Sequence, residues 1–552
     1  MEGITSKQWL NSFHIQSEDE SSVLVFEKDV CIENRDTNKI LSTKKKFNII
    51  KNPKRTIYIT KPECRTYRYK KDYEELKNCD AYTIEDRYLA DEIKKILGYP
   101  SYKRVGLKDL FNSPYVYNAD ISLQALVRER YMKKQKHPIL PILMGGCDIE
   151  TSVLGDEQIN ALTLVCETNV YTVVLKEFMW KYEGDKKLRA TKQDIMDIVH
   201  DKIQHYLDTY KFNINLHIAE TEWELLTWFF DKLHKEKDID FIGIWNIAYD
   251  IPYILDRLKV YQVDPKDYFC HPDIPKDYRV CKFKEDKSNK SNKAFIADKW
   301  SYFYCTCYSQ FIDSMALYNK VRKTESKEPS YSLDAISTKE LGEGKLKFEE
   351  GDHYTMQTRR FPEYVVYNMV DAMLLQLMNW KNKDLVAMYY LTDNSPFNDF
   401  SKQTNGLRDG YFRFCLEHGR VYATTGNDMK GPYDHLFNCG GGSVLPSANI
   451  TNMGLKCIVE KPDMESRLIP LAADLDFKAM YPSFQSAAGI AKEMKLATVV
   501  GIEGHSSKDI EQFMAGIAMP DDNAIWIGHD YFGLPDYKEL KELAQEEFFK
   551  LV

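Results

Sequence analysis

Between Phe361 and Leu375 the chain reads F-P-E-Y-V-V-Y-N-M-V-D-A-M-L-L, apolar around nearly the whole circumference of the helix it predicts, yet carrying an aspartate. Tyr367 and Asp371 stand four residues apart and so share one face of that helix. A carboxylate among apolar side chains must be paired, hydrogen-bonded or bound to a cation, because burying a lone charge is too costly. The Tyr367 hydroxyl is one such partner, in a purely structural role; a cation is another. Whatever fold the chain adopts has to deliver one of them to Asp371.

Two other segments pose a similar question. Asp148 and Glu150 lie two apart at the end of the apolar run 139–149, on what reads as a strand, so both side chains leave the same face. A solvated strand face is the plain alternative. Asp250 follows the strand-like Phe241–Trp245 and precedes Pro252, where a helix is expected to begin. That places it at a strand's end pointing into a cleft, or as a helix N-cap. Each bland reading is reasonable alone; together the three are hard to sustain.

The surrounding chain is built for several domains. It has 552 residues, 43% hydrophobic and 29% charged, enough for about three or four domains at roughly 100–200 residues each. No stretch approaches the ~18 apolar residues of a membrane span, and the first 30 residues lack a signal-peptide core, so a cytoplasmic location with no membrane partner is expected. The twelve cysteines include no C-x-x-C, and the one-residue gap between Cys305 and Cys307 suits neither zinc nor redox chemistry. A net charge of −8 excludes coating nucleic acid by bulk attraction, but not an enzyme that gathers carboxylates at a metal site.

Along the chain, 1–138 reads as an amino-terminal α+β domain, with a strand at Arg55–Thr60, basic clusters at Lys44–Lys46 and 132–136, and a basic helix over 121–137. From 139 to 380 a mixed α/β domain is expected. Ala161–Cys166 and Tyr171–Phe178 extend the first strand into a meander. Ile195, Val199, Ile203 and Leu207 recur as one helical stripe, and Thr221 to Glu224 forms a capping box. Residues 282–299, rich in lysine, form an exposed loop or long hairpin. A connecting region follows over 381–467, and a last domain over 468–552 opens with the buried strand Leu468–Phe477.

The segments D-I-E-T at 148–151, N-I-A-Y-D at 246–250 and Y-N-M-V-D at 367–371 resemble, in order and spacing, the three exonuclease motifs of family B DNA polymerases. Pro329–Asp334 with Glu340-Leu-Gly and Lys345-Leu-Lys347 resembles the stretch before the third motif in polymerases of large tailed phages. The resemblance implies a ribonuclease-H-like 3′–5′ proofreading exonuclease. Asp148, Glu150, Asp250 and Asp371 would hold two Mg²⁺ or Mn²⁺ ions, Tyr367 would orient the attacking water, and Asn246 and Tyr249 would contact the frayed DNA strand.

The stretch Asp474-Leu-Asp-Phe-Lys-Ala-Met-Tyr-Pro-Ser483 is similar to polymerase motif A of the same family, with Ala479 and Met480 in place of the usual Ser-Leu. On that resemblance Asp476 would bind a catalytic metal, and Met480 and Tyr481 would line the incoming nucleotide in a partial polymerase palm. No lysine-bearing fingers motif and no D-T-D turn follow motif A. The expectation is therefore the amino-terminal part of a split or truncated polymerase, acting on primer-template and single-stranded DNA. A second polypeptide would complete it, and a sliding clamp is a further candidate partner. If phage-encoded, it would work in the host cytoplasm. A free-standing exonuclease with a palm remnant, and a catalytically silent replisome subunit, are the alternatives.

Overall fold

The computed structural model describes residues 3–16, 21–33, 39–65, 70, 73–100, 104–135, 140–236, 238–286, 296–322, 328–347, 352–392, 394–401 and 403–422 (side chains from 409), with the backbone of 498–501 and 524–527. The chain divides into two compact units. One gathers Met1–Arg55, Thr83–Leu89 and Ile121–His418; the other gathers Thr56–Tyr82, Ala90–Asp120 and Gly419–Val552. A three-stranded sheet orders Cys79–Glu85, Lys54–Thr60 and Val116–Tyr117, and in the second unit Arg420–Tyr422 pairs with Tyr73–Glu75. Motif A and the whole of 423–497 lie outside the described residues.

The first unit opens with an antiparallel sheet of β1 (Ile4–Gln16), β2 (Ser21–Ile32) and β3 (Ile40–Lys51). Val23, Leu24, Val25 and Phe26 in β2 are all buried, so both faces of the sheet are covered. Trp9, Val23 and Val25 pack with Leu123 and Val127 of helix α1 (Leu123–Met132), while Leu24 and Phe26 meet Ile274 and Tyr308 on the other face.

A six-stranded mixed sheet follows. Its members are β4 (Met144–Thr151), β5 (Ile159–Cys166), β6 (Asn169–Leu175), β9 (Asn213–Ala219), β10 (Phe241–Ile244) and β13 (Gln310–Asp313), in the order β9-β6-β5-β4-β10-β13. The intervening β7 (Trp180–Glu183) and β8 (Lys186–Arg189) form a separate ribbon, as do β11 (Cys281–Lys284) and β12 (Tyr302–Cys305). Strands β4, β5 and β6 are the expected meander, its second turn made by Glu167 in a left-handed conformation at φ 52°. Every residue of β5 is buried, because helices cover both faces. Helix α4 (Glu222–Lys235) lies on one face, where Trp228 meets Tyr171; helix α9 (Phe361–Asn382) lies on the other, where Asn368 meets Thr163.

Three local expectations are corrected. The stripe from Ile195 to Leu207 is not one helix but two, α2 (Lys192–Lys202) and α3 (Gln204–Tyr210), broken where Ile203 turns to φ −127°. Pro252 does not begin a helix: α5 runs Ile247–Val260 with Pro252 inside it. Its start is set from afar, since the Asp313 carboxylate accepts the Ile247 N–H at 3.2 Å. At the cap of α4, Thr221 Oγ1 receives the Glu224 N–H, but Glu224 reaches back to the Glu220 N–H, not to that of Thr221.

Lys45, read as part of a basic cluster, is also accounted for. Its ammonium and that of Lys28 meet Asp240 at 2.9 and 2.5 Å, with all three side chains 1% exposed or less. Asp240 also accepts the Leu143 N–H at 3.0 Å, so this ionic knot ties β2 and β3 to the residues just before β4 and β10. Asp240→Asn, which keeps the shape and leaves two buried ammoniums under-paired, should cost about 3–5 kcal/mol in urea unfolding. Lys7→Ala, at a part-exposed pair with Glu27, should cost less than about 1 kcal/mol. Equal costs would contradict the assignment.

Candidate active site

Strand β4 is the foundation of the site. Its alternation sends Gly146, Asp148 and Glu150 toward α9, and Cys147 and Ile149 to the opposite face. A Cβ on Gly146 would lie 2.3 Å from the Ala372 carbonyl oxygen of α9, so only glycine allows helix and strand to approach this closely. That approach brings the residue before Ala372, Asp371, onto the acids of β4. One carboxylate oxygen each from Asp148, Glu150 and Asp371 lie within 4.8 Å of one another.

Each acid has a fixed partner. Asn368 donates to Asp148 Oδ2 at 2.7 Å, and its own carbonyl accepts from Thr163 Oγ1 at 2.6 Å, which orients the amide. The Tyr364 hydroxyl donates to Glu150 Oε2 at 2.5 Å. Gln357, on helix α8 (His353–Arg359), holds Tyr364 in turn by donating to its hydroxyl at 2.9 Å. Lys345 donates to Asp371 Oδ2 at 2.5 Å and to the Tyr367 hydroxyl at 2.8 Å. The second oxygen of Asp371 is buried and has no hydrogen-bond partner. A buried, unpartnered carboxylate oxygen beside two further carboxylates is what a divalent cation requires.

Asp250 is buried on the first turn of α5, outside the three-acid group. Its Oδ1 accepts the Ile149 N–H at 3.3 Å, taking the edge of β4 beyond the point where β10 stops pairing. Of the remaining expected residues, Tyr249 is 48% exposed with its hydroxyl 2.9 Å from Thr151 Oγ1, and Asn246 precedes α5 without capping it by its side chain. Asp476, Met480 and Tyr481 lie outside the described residues.

Burial, followed by the charges of Asp371, Glu150 and Asp250, holds the Asp148 carboxyl well above its ordinary range. Burial pushes Glu150 up to about 8 against the opposing Tyr364 hydrogen bond. Asp250 rises to about 7 by burial, opposed by the Ile149 N–H. Burial lifts Asp371 to about 6, and the Lys345 charge keeps it from rising further. Burial works against the Lys345 charge, but Asp371 and Tyr367 hold its pKa above the usual lysine value. Burial and then the Asp371 charge raise Tyr367 to about 12, so it stays a hydroxyl.

Residues 115–336 match the family model of the DNA polymerase family B exonuclease domain. No curated protein matches the chain. The matched span contains Asp148, Glu150, Asn246, Tyr249 and Asp250. Lys345, Tyr364, Tyr367, Asn368 and Asp371 lie beyond it and reach the site through the packing of α9 and the turn after helix α7 (Leu333–Leu341).

The sequence reading assigned no role to Lys345, Tyr364, Asn368, Gln357 or Asp313. Tyr364 and Asn368 sit at seven and three residues before Asp371, the helical spacing that put Tyr367 on its face, and were visible by that rule. Lys345 reaches Asp371 because Gly344 lets the chain close on Asp334, whose Oδ1 would be 2.2 Å from a Cβ there. Nothing local to Lys345 announces this.

Carboxyls whose folded values exceed the unfolded ones near 4 bind protons in the folded chain that the unfolded chain lacks. Without metal, their contribution is fully present at low pH and lost as pH rises toward the folded values of about 6, 7 and 8. In EDTA, the melting temperature should therefore be lower at pH 8.5 than at pH 6, and Mn²⁺ should close part of that gap. Glu150→Gln should shrink the gap as well. A melting temperature in EDTA that is flat, or that rises over this range equally in both proteins, would contradict the cluster.

Proposed function

We propose that this chain is a two-metal 3′–5′ exonuclease acting on DNA, the proofreading part of a family B replicative polymerase, with its nuclease domain of ribonuclease-H-like fold. The observation that carries this is the meeting of Asp148, Glu150 and Asp371 within 4.8 Å, from two elements more than two hundred residues apart in sequence. The match of 115–336 to the polymerase exonuclease model supports it independently.

In this reading Asp148, Glu150 and Asp371 hold Mg²⁺ or Mn²⁺, with Asp250 joining from the edge of β4. All-oxygen donors suit such hard cations. When bound, the ions supply Lewis acidity to the phosphodiester and acidify a water. The protein's own groups do the rest. Tyr367 orients the attacking water through its hydroxyl, which Lys345 holds in place. Tyr364 and Asn368 lock the two β4 carboxylates so that they cannot turn away. Asn246 and Tyr249 contact the frayed strand; the exposure of Tyr249 and its link to Thr151, next to Glu150, support this.

The domain division at 138, 380 and 467, read from the sequence pattern, and the synthetic site at Asp476, Met480 and Tyr481, which rests on the motif A resemblance, belong to the same proposal. A second polypeptide carrying the remaining polymerase motifs, a clamp, and primer-template as substrate follow from it.

Purified chain with Mg²⁺ or Mn²⁺ should shorten a 5′-labelled oligonucleotide from its 3′ end, faster when that end is mismatched, because less unpairing is needed. Asp148→Ala with Glu150→Ala should lower the rate by at least about a thousandfold, as expected for loss of the ions' charge stabilisation. Lys345→Met should lower kcat by about ten- to a hundredfold with little change in KM, the loss expected for a group that positions and stabilises charge in the transition state. Undiminished degradation by the double variant would refute the site.

A further inference from the structure

The ribbon β7–β8 stands outside the six-stranded sheet, and its two faces differ. Trp180 pairs with Arg189 and Tyr182 with Lys187, so these four side chains share one face. Lys187 and Arg189 lie over the Trp180 ring, at 4.2 and 4.4 Å from its centre. From α8, Arg359 adds its guanidinium over the Tyr182 ring at 5.2 Å. Among the described residues, neither Lys187, Arg189 nor Arg359 is paired with a carboxylate, and all three are exposed. Three of the acids nearby are held by cations, Glu183 and Asp194 by Lys181 and Glu363 by Arg360, while Asp197 at the cleft accepts from Gln193 and Asp185 sits exposed in the ribbon's turn. A cleft of about 960 Å³ opens beside Tyr182 and Arg359.

The ribbon is anchored at the start of the site helix. A β-bridge joins Lys181 to Arg360, the residue before α9. At about 1.5 Å of rise per residue, Arg360 lies about 6 Å along the helix from Tyr364, which holds Glu150, and about 16 Å from Asp371. That span equals about four or five nucleotides of a strand stacked at ~3.4 Å.

We infer that the Trp180, Tyr182, Lys187, Arg189 and Arg359 face is a binding surface for single-stranded DNA, which grips the strand about four or five nucleotides from the end held by the acids. Cations interleaved with aromatic rings serve both chemical parts of such a strand. The rings stack on bases of any identity and the cations meet phosphates. A double helix would present no free base faces to Trp180, so the surface selects the unpaired strand. This inference rests on the exonuclease reading for the position of the strand's end, but its recognition chemistry does not.

The test is binding of 5′-fluorescent oligo(dT) of 3 and 12 nucleotides to the full chain in EDTA, by anisotropy over a range of salt. Trp180→Ala with Lys187→Ala and Arg189→Ala should weaken the 12-mer about tenfold or more. It should also flatten the slope of log affinity against log salt by about 1.4, at roughly 0.7 for each phosphate left without its cation. Binding and metal-dependent hydrolysis of the 3-mer should be unchanged. Arg359→Ala, which leaves the ribbon intact, should flatten the slope by about 0.7, and Trp180→Phe should restore most of the stacking loss. Unaltered 12-mer binding in the triple variant and in Arg359→Ala, or equal losses for 3-mer and 12-mer, would overturn the inference. Absence of hydrolysis by the unmodified chain would instead overturn the exonuclease reading, while the EDTA binding arm still decides the ribbon.

Discussion

Like charges do not gather unless something holds them together. Two full charges within 4.8 Å of each other repel by about 3.5 kcal/mol or more at an effective dielectric near 20, and three such carboxylates meet at the end of β4. Two neutral donors and one cation hold them there in the absence of metal: Asn368 on Asp148, Tyr364 on Glu150, and Lys345 on Asp371. The raised carboxyl pKa values are the remaining cost of this arrangement. A bound cation would remove that cost, so folding and metal affinity would be linked through these three acids.

The rest of the fold can be understood as the support for that meeting. Gly146 lets α9 lie against β4 at backbone distance, and the apolar body of α9 fixes its rotation so that Tyr364, Asn368 and Asp371 all face the strand. Behind β4, the Asp240 knot with Lys28 and Lys45 secures the strand's beginning, while Asp313 caps α5 and thereby sets where Asp250 falls. A single-residue shift in β4 would carry Asp148 and Glu150 to the opposite face, so register is under strict control.

How much of this was legible depended on the distance over which each signal acts. Period-two and period-four spacing is local, and it placed Asp148 with Glu150 and Tyr367 with Asp371 on common faces. The meander and the Thr221 cap were legible for the same reason. Signals that cross the chain were not. Pro252 looked like a helix start because the true cap, Asp313, lies sixty-six residues away. Lys45 looked like a free cation because Asp240 is nowhere near it in sequence. Lys345 was marked only by the resemblance of its stretch and not by any role, since it lies in a turn and its partner sits on α9, twenty-six residues on. The glycine at 146 was unreadable as a spacer until the helix that needs the space was in place.

The most direct measurement is anomalous diffraction from crystals of the chain soaked in Mn²⁺, recorded at the manganese edge. Two peaks about 3.5–4 Å apart are expected, with oxygens of Asp148, Glu150 and Asp371 as first ligands and Asp250 reached from the strand's edge. No density at these acids under saturating Mn²⁺, or a single ion held elsewhere while the three carboxylates stay bound only to Asn368, Tyr364 and Lys345, would contradict the two-metal site.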